Sequence, residues 1–281
     1  MSEFENEQYQ GERALFMIKD ALVSSCRFLD GESPLKEGKN LKIENCTFVE
    51  AKYPLWYCTD LEVKGGLLDV GARAGFWYDK NLKVRHLTSF APKGFRVIEG
   101  MDLKDCTFKD ASETFWHVTN FKVENLSFHG GQYTFMQCKK GHIKNLDLEG
   151  DYIFDGVEDL LVEDSVIHGK DAFWNSKNVT VKRSKISGQY LAWNAKNLTL
   201  IDCEISSHQG LCYIEGLKMV NCKLTDTDLC FEYCSGIDAD IVDEIVSVKN
   251  PISGKIKAKG YKEKIFDDSR IDPNQTELAI G

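Results

Sequence analysis

A short apolar–polar–apolar step recurs along the chain at a nearly constant interval. Successive steps are 19 to 21 residues apart over ten intervals, a regularity that is typical of proteins built from stacked repeats. The second apolar residue of each step falls at Val23, Ile43, Val63, Val84, Leu103, Val123, Ile143, Val162, Val181, Leu200 and Met219. We call these positions the marker residues.

Within each repeat, apolar and polar residues alternate with a period of two, which predicts β-strands. Phe121 and Val123 alternate with polar residues in one full copy, and Leu126 and Phe128 continue the pattern. An α-solenoid repeat needs about ten helix-periodic residues and a propeller blade needs roughly 40 residues, so neither fits. The predicted fold class is all-β: a single-stranded right-handed parallel β-helix (a solenoid) of about eleven coils.

Aligned positions form columns whose composition supports this register. Three residues after the marker, every residue is small or apolar, as the interior of a narrow tube requires, and half of the cysteines lie there. One position earlier, most residues are Asn or Asp, which tolerate left-handed turns and hydrogen-bond their neighbours. We therefore expect one internal column of thiols and one ladder of side-chain amides. The aligned cysteines are Cys26, Cys46, Cys106, Cys203 and Cys222.

We expect one β-helix domain over residues 1–281. Residues 1–20 are predicted to include an N-terminal cap, because the strands at both ends of a β-helix leave edges that must be covered. The marker spacing degrades in residues 229–281, which predicts irregular last coils and a C-terminal cap or tail.

Charge and composition limit the kinds of partner, location and cofactor that we expect for this protein. The net charge is −9 with both signs interspersed, which argues against a nucleic-acid or membrane surface. Residues 1–11 are polar and acidic and lack the pattern of a signal peptide, so we expect a cytoplasmic protein with reduced thiols. The Cys and His spacings match no zinc pattern, and we expect no metal and no cofactor. Whether the chain is a monomer or a homo-oligomer stays open.

Two local patterns resemble those of a known family: the Gly11-Glu12-Arg13-Ala14-Leu15-Phe16 start, and the Leu/Phe-Trp and Asn-Leu-x-Val units. The chain resembles, over nearly its whole length, a bacterial family of small right-handed β-helix proteins in the pectin-lyase-like superfamily. The resemblance implies the fold. It implies no single activity, because that superfamily includes lyases, hydrolases, esterases and binding proteins.

An aromatic ladder is the candidate binding face. Nine repeats contain a pair such as Leu55-Trp56 or Phe76-Trp77. The first residue of the pair is apolar and is expected to point inward, and the second is expected to point outward. This outward column contains all five Trp residues, whose flat faces and N–H groups suit sugar rings. The candidate ligand-binding residues, including polar neighbours, are Trp56, Trp77, Arg96, Trp116, His117, Asp155, Trp174, Asn175, Trp193 and Asn194.

Two functions fit this face. The first is a binding or scaffold protein that engages carbohydrate or a protein partner. The second is a carbohydrate-active enzyme of the glycoside hydrolase or polysaccharide lyase type, with Arg96, His117 and Asp155 as catalytic candidates. A third arrangement stays open as well, in which a terminal segment or another subunit covers the Trp column or the column packs inward.

Specific catalytic patterns are weak. A calcium-dependent lyase needs about six to eight oxygen ligands, whereas Asp79, Glu99, Glu113 and Asp155 are spread over several coils. A glycoside hydrolase needs two carboxylates within about 5–10 Å, and no such pair is evident in an aligned coil. Because equivalent residues of successive coils stack, a cysteine nucleophile formed by Cys138 and His117 is a further alternative.

Overall fold

The computed structural model describes residues 1–110 and 112–281, and its described strand pairs are parallel. The chain divides into two compact units. The first comprises residues 1–142 and 146–148, and the second comprises residues 143–145 and 149–281. Strand Lys139–Glu149 contributes residues to both. The expectation of one domain over residues 1–281 stays a prediction.

The first unit is a stack of short strands, each paired in parallel with its equivalent one turn later. The markers pair with one another in the predicted register, for example Val23 with Ile43 and Leu103 with Val123. Its strands are β1 (Ser2–Glu5), β2 (Gln8–Tyr9), β3 (Lys19–Ser24), β4 (Arg27–Phe28), β5 (Gly31–Glu32), β6 (Lys39–Glu44), β7 (Thr47–Phe48), β8 (Ala51–Lys52), β9 (Thr59–Lys64), β10 (Leu67–Leu68), β11 (Lys80–Arg85), β12 (Thr88–Ser89), β13 (Glu99–Phe108) and β14 (Thr119–Phe128), followed by β15 (Lys139–Glu149).

The second unit repeats this arrangement. Its markers also pair as predicted, Val162 with Val181 and Leu200 with Met219. A single 3-10 turn, Pro273–Gln275, precedes the last strand. The strands are β16 (Glu158–Glu163), β17 (Val166–His168), β18 (Lys177–Lys182), β19 (Lys185–Gln189), β20 (Lys196–Ile201), β21 (Glu204–His208), β22 (Glu215–Leu224), β23 (Ser235–Ile241), β24 (Glu244–Lys249), β25 (Gly254–Ala258), β26 (Gly260–Ile265) and β27 (Thr276–Ile280).

The parallel β-solenoid predicted from the sequence is confirmed, with a larger number of turns. Counted over the two units, the chain makes about 15 turns rather than eleven. The additional turns come from the chain ends. β1, within residues 1–20, already pairs with β3 through Phe4 and Val23, and Ala239, Ile256 and Leu278 continue the marker column after Met219 at unequal intervals. No helix in the described ranges is long and apolar enough to cross a membrane.

Stacked apolar columns form the interior of each unit. Phe76, Phe95 and Phe115 are fully buried in the first unit, with ring centroids 4.6 and 4.9 Å apart in successive turns. Each buried side chain of this size contributes roughly 1.5–3 kcal/mol, and each aromatic pair about 0.5–1.5 kcal/mol more. All ten cysteines are buried and unpaired. Burial raises the pKa of the Cys46 and Cys106 thiols to about 11, so these column members are inert packing residues.

The turns carry the amide ladder that the sequence predicts. Asn side chains donate hydrogen bonds to Asp carboxylates of the preceding turn, and residues of both types adopt left-handed φ values between 51° and 58°. Because Asn and Asp mostly alternate from one turn to the next, each amide N–H group lies beside a carboxylate, and two carboxylates seldom lie in successive turns. The predicted ladder, two residues after the marker, includes Asn125 to Asp105 (2.6 Å) and Asn221 to Asp202 (2.7 Å). A second ladder of the same kind lies three residues before the marker, with Asn40 to Asp20 (2.7 Å), Asn81 to Asp60 (2.8 Å) and Asn178 to Asp159 (2.8 Å).

Asp79 is a carboxyl group inside the first unit. It was one of the acids considered for a calcium site on the outer face, but it is 1% exposed and cannot serve there. The Cys58 backbone N–H donates to Asp79 Oδ1 at 2.7 Å, while Oδ2 has no partner in the described part of the chain. Burial raises the pKa of Asp79 well above its ordinary value of 3.8, against the opposing effect of the Cys58 N–H.

The free energy of unfolding should therefore depend on the protonation of Asp79. In the unfolded chain Asp79 loses its proton near pH 3.8, whereas the folded chain retains it to higher pH, so its contribution to stability falls as pH rises above about 4. Asp79→Asn keeps an oxygen that accepts from the Cys58 N–H, and its neutral side chain needs no proton to be buried. We expect a higher unfolding midpoint than wild type at pH 8 and a similar one near pH 3.5, measured by thermal or urea denaturation.

Asp30→Asn is the matched control, since Asp30 is exposed in the same unit. It should leave the pH dependence of unfolding unchanged. If Asp79→Asn destabilised the protein equally at pH 8 and pH 3.5, the carboxyl group would be ionised in the folded state and its assignment as a neutral acid would be wrong.

Candidate functional site

The Trp residues of the first unit lie on the outside of the solenoid and are half-buried. Their predecessors in the sequence, such as Leu55 and Phe76, point inward and are fully buried, as the alternation predicts. The rings of Trp56 and Trp77 stack with centroids 4.9 Å apart and planes 6° apart. The ring faces therefore contact each other rather than solvent, and no sugar ring can stack between them.

Every indole N–H group is engaged by the protein itself. Each donates to a backbone carbonyl 16 to 18 residues further along the chain, so that a Trp of one turn is tied to the next. These N–H groups are not available to a ligand. The pairs are Trp56 with Ala74 (2.6 Å), Trp77 with Lys93 (2.7 Å), Trp116 with Tyr133 (2.6 Å), Trp174 with Tyr190 (2.8 Å) and Trp193 with Gln209 (2.9 Å).

Arg96 occupies the place of a ring in the same stack. Its guanidinium carbon lies 4.9 Å from the centroid of Trp77 and 4.0 Å from that of Trp116, a cation–π arrangement on both sides. It also donates to the Glu113 carbonyl and carboxylate, at 2.9 and 2.8 Å. Burial opposes ionisation of Glu113, but the hydrogen bonds from Arg96 and Lys93 outweigh it and lower the pKa of Glu113. Arg96 thus has a structural role.

The other two catalytic candidates do not join Arg96 in one cluster. His117 is exposed in the first unit, one residue beyond the Trp column. Asp155 belongs to the second unit, where it accepts a hydrogen bond from Asn175 Nδ2 at 2.9 Å. Within the described ranges, no group of three or more His, Cys, Asp or Glu side chains is placed to hold a metal ion.

A nucleophile at Cys138 is contradicted by the structure. Its thiol is fully buried and donates to the Phe115 carbonyl at 3.0 Å. Burial raises the pKa of Cys138 to about 12, which suppresses the reactive thiolate. Cys138 is a core residue.

The column beyond the Trp residues, which we call the outer row, is more exposed than the Trp column. Tyr57 is 49%, Tyr78 38% and Tyr213 39% exposed. A simple alternation would turn these side chains inward, but they have left-handed φ values near 60°, so two consecutive side chains point outward before the next one is buried. The sequence predicts three members of this row as binding residues but not its tyrosines; the three are His117, Asn175 and Asn194. The recurrence of Tyr two residues after the inward position was the signal available.

In the second unit the outer row combines amides with aromatic rings. Asn175 and Asn194 are exposed beside the Trp174–Trp193 stack, whose centroids are 5.8 Å apart. Tyr213 continues this side of the unit, with its ring centroid 5.2 Å from that of Trp193. A shallow groove of about 460 Å³ lies along these residues, and Asn175, Asn194 and Tyr213 are among the residues that line it.

Comparisons with known proteins bear on the family of the chain. The model of a family described as Protein of unknown function (DUF3737) matches residues 2–279. No curated protein matches the chain. Placement in the pectin-lyase-like superfamily stays a prediction.

Solved structures similar to this chain have low identity. The surface adhesin PfbA of Streptococcus pneumoniae is 10% identical with a TM-score of 0.39, and the match covers 77% of this chain and 70% of the adhesin. The A-module of the Azotobacter vinelandii mannuronan C-5 epimerase AlgE4 is 9% identical with a TM-score of 0.36, covering 99% of this chain and 90% of the module. Likenesses this weak carry no information about function.

The cation–π stack around Arg96 predicts a stability effect. Arg96→Ala removes contacts with two indole rings and the three hydrogen bonds to Glu113, so we expect a loss of about 2–3 kcal/mol in the free energy of unfolding. Arg96→Lys should restore less than half of this lost stability, because an ammonium group is not planar and cannot stack on the rings. Urea denaturation measures the free energy of unfolding of both variants. The exposed Arg27 is the control: Arg27→Ala should change stability by less than about 0.5 kcal/mol, and a similarly small loss for Arg96→Ala would contradict the structural role.

Proposed function

We propose that this chain, which belongs to the DUF3737 family of proteins of unknown function, is a binding or scaffold protein whose outer aromatic surface engages carbohydrate. Each unit carries its own part of this surface, which consists of its Trp column and its outer row. Binding rather than catalysis is the function that its geometry supports best.

Exposed tyrosine and asparagine side chains on a rigid support are the observation that carries this proposal. Tyr57 and Tyr78 lie over the Trp stack of the first unit with their own rings 4.7 Å apart, and Tyr213 follows Asn175 and Asn194 in the second. Because the faces of Tyr57 and Tyr78 also stack on each other, these residues offer ring edges and hydroxyl groups, and asparagine offers both a donor and an acceptor. Together these groups suit a polyhydroxylated ligand. The stacked Trp residues hold this surface in place instead of contacting the ligand through their faces.

The partners of the catalytic candidates weigh against the enzyme hypothesis. Arg96 is enclosed by Trp77, Trp116 and Glu113, and Asp155 holds Asn175. An acid–base or lyase mechanism needs titratable groups that converge on one reacting atom. These groups instead support the architecture of the surface.

A protein partner is the second candidate, and one observation favours it. Tyr57, Tyr78 and Val97 form a continuous exposed strip of large apolar side chains in the first unit. Flat strips rich in tyrosine are common at protein interfaces.

The proposal is tested by titrating the protein with neutral and acidic hexasaccharides, followed by calorimetry and by intrinsic Trp fluorescence. We expect saturable binding with a Kd of roughly 0.01–1 mM, since a shallow open surface buries little of its ligand. After prolonged incubation we expect no new reducing ends and no unsaturated products.

His117→Ala is the control for catalysis in this experiment. Product formation that wild type supports and His117→Ala abolishes would favour the enzyme over the binding protein. Absence of binding to every saccharide would contradict the carbohydrate proposal and leave the protein-partner candidate.

A further inference from the structure

Two thiols are stacked in contact inside the second unit. Cys203 and Cys222 lie at equivalent positions of successive turns, three residues after the paired markers Leu200 and Met219. Their turns are joined at this point, because the Lys223 N–H donates to the Cys203 carbonyl at 2.9 Å. Both side chains are buried, and the two sulfur atoms lie within hydrogen-bonding distance of each other. The inward column therefore holds two free thiols side by side.

The spacing of the turns suits a covalent bond between these two residues. Equivalent Cα atoms of successive turns lie about 4.8 Å apart, within the range of roughly 4.4–6.8 Å that a disulfide bond spans. The inward column continues on the other side of Cys203 with the small residues Ser184 and Ser165, whereas it contains Leu87 and Leu126 in the first unit. Small neighbours accommodate an oxygen atom on Cys203 with less displacement than leucine would require.

The two thiols differ in acidity. A hydrogen bond from the Cys222 thiol lowers the pKa of Cys203 although burial opposes this effect, and the same hydrogen bond raises the pKa of Cys222. The thiolate is the form that reacts with oxidants, so Cys203 is the nucleophile of the pair. The first unit contains a similar stack of Cys26 and Cys46, but there burial raises the pKa of Cys46 to about 11.

The strand pairing beside Cys222 is irregular. β22 and β23 pair through Met219 and Ala239 and again through Cys222 and Ile241, and the register shifts between these two points. Two residues of β22 therefore face one residue of β23, which is a β-bulge. A bulge interrupts the ladder of backbone hydrogen bonds, so we expect the chain to open locally here more often than in the regular turns. Such openings admit a small oxidant to the buried pair.

We propose that Cys203 and Cys222 are a peroxide-sensitive pair, which oxidises to a disulfide bond and so fastens two turns of the second unit. The Cys203 thiolate attacks one oxygen of hydrogen peroxide, and the O–O bond breaks to give a sulfenic acid and hydroxide. This hydroxide takes up the proton that Cys203 released and becomes water. The Cys222 sulfur then attacks the sulfenic sulfur, the S–O bond breaks, and the hydroxyl group leaves as water with the Cys222 proton. The two thiols are oxidised by two electrons, and the peroxide is reduced to two molecules of water.

Treatment of the whole protein with hydrogen peroxide, followed by peptide mass mapping without reduction, tests the site. We expect a linked Cys203–Cys222 peptide, lighter by two hydrogen atoms than the two reduced peptides, to form before the other cysteines change. Dithiothreitol should restore both thiols. The Cys26–Cys46 stack is the comparison within the same molecule and should stay reduced. Equal rates of oxidation at both stacks, or no bond between Cys203 and Cys222, would overturn the proposal.

Substitutions separate the roles of the two thiols. Cys222→Ser keeps a hydroxyl group that can donate to Cys203 but cannot form the disulfide bond, so the sulfenic acid should accumulate on Cys203 and react with dimedone. Cys203→Ser should give no dimedone adduct at Cys222. Cys106→Ser is the matched control, since Cys106 lies in the same column between Leu87 and Leu126. It should leave the rate of cross-linking unchanged, and a dimedone adduct on Cys222 rather than Cys203 would contradict the assigned roles.

The disulfide bond should also change the stability of the protein. It closes a loop of about 20 residues and restricts the unfolded chain, so the oxidised protein should unfold at a higher urea concentration than the reduced protein. Dithiothreitol should reverse this shift. Cys106→Ser should show the same shift on oxidation and Cys203→Ser none. An unfolding midpoint that does not rise on oxidation would show that the bond does not fasten the turns.

Discussion

Parallel pairing of each turn with the next, position by position, is the constraint on which the rest of each unit depends. Because the backbone hydrogen bonds hold equivalent residues about 4.8 Å apart, every side chain contacts its own equivalents. Phenylalanine therefore stacks on phenylalanine, and asparagine donates to aspartate. A residue type that packs well with itself, or with one complementary partner, is favoured in each column.

The same constraint determines what the aromatic surface can do. In a ladder of Trp residues in register, the ring faces stack on each other and the N–H groups donate to carbonyl groups of the next turn. Neither is then free for a ligand, and the ladder acts as a support for the outer row. The outer row, with exposed side chains such as Tyr213 and Asn194, is the part of this surface that we propose for recognition.

The fold could be predicted from the sequence because its signal repeats. Each marker supports the others, so the strand register follows from spacing alone, and the inward cysteines and the amide ladder follow from the register. From Ala239 to Leu278 the number of residues between successive markers varies, so the repeat cannot be recognised in the sequence although the strands still pair. The candidate site was predicted less well, since contacts such as that of Arg96 between two indole rings depend on side-chain conformation. The buried Asp79 occupies an inward position that carries no distinguishing pattern.

The left-handed backbone of the outer row limits which substitutions these turns accept. Glycine, asparagine and aspartate adopt positive φ at little cost, whereas a tyrosine there is strained by about 1 kcal/mol or more. Tyr57, Tyr78, Tyr213 and Tyr233 all have φ values between 53° and 64°, and the buried residues Leu55 and Leu211, two positions before Tyr57 and Tyr213, share this conformation with φ values of 58° and 57°. The strain therefore belongs to the turn as a whole, and packing against the neighbouring turns must offset it. A designer who wanted a more stable version of this solenoid would first place asparagine at exposed left-handed positions, where little packing is lost.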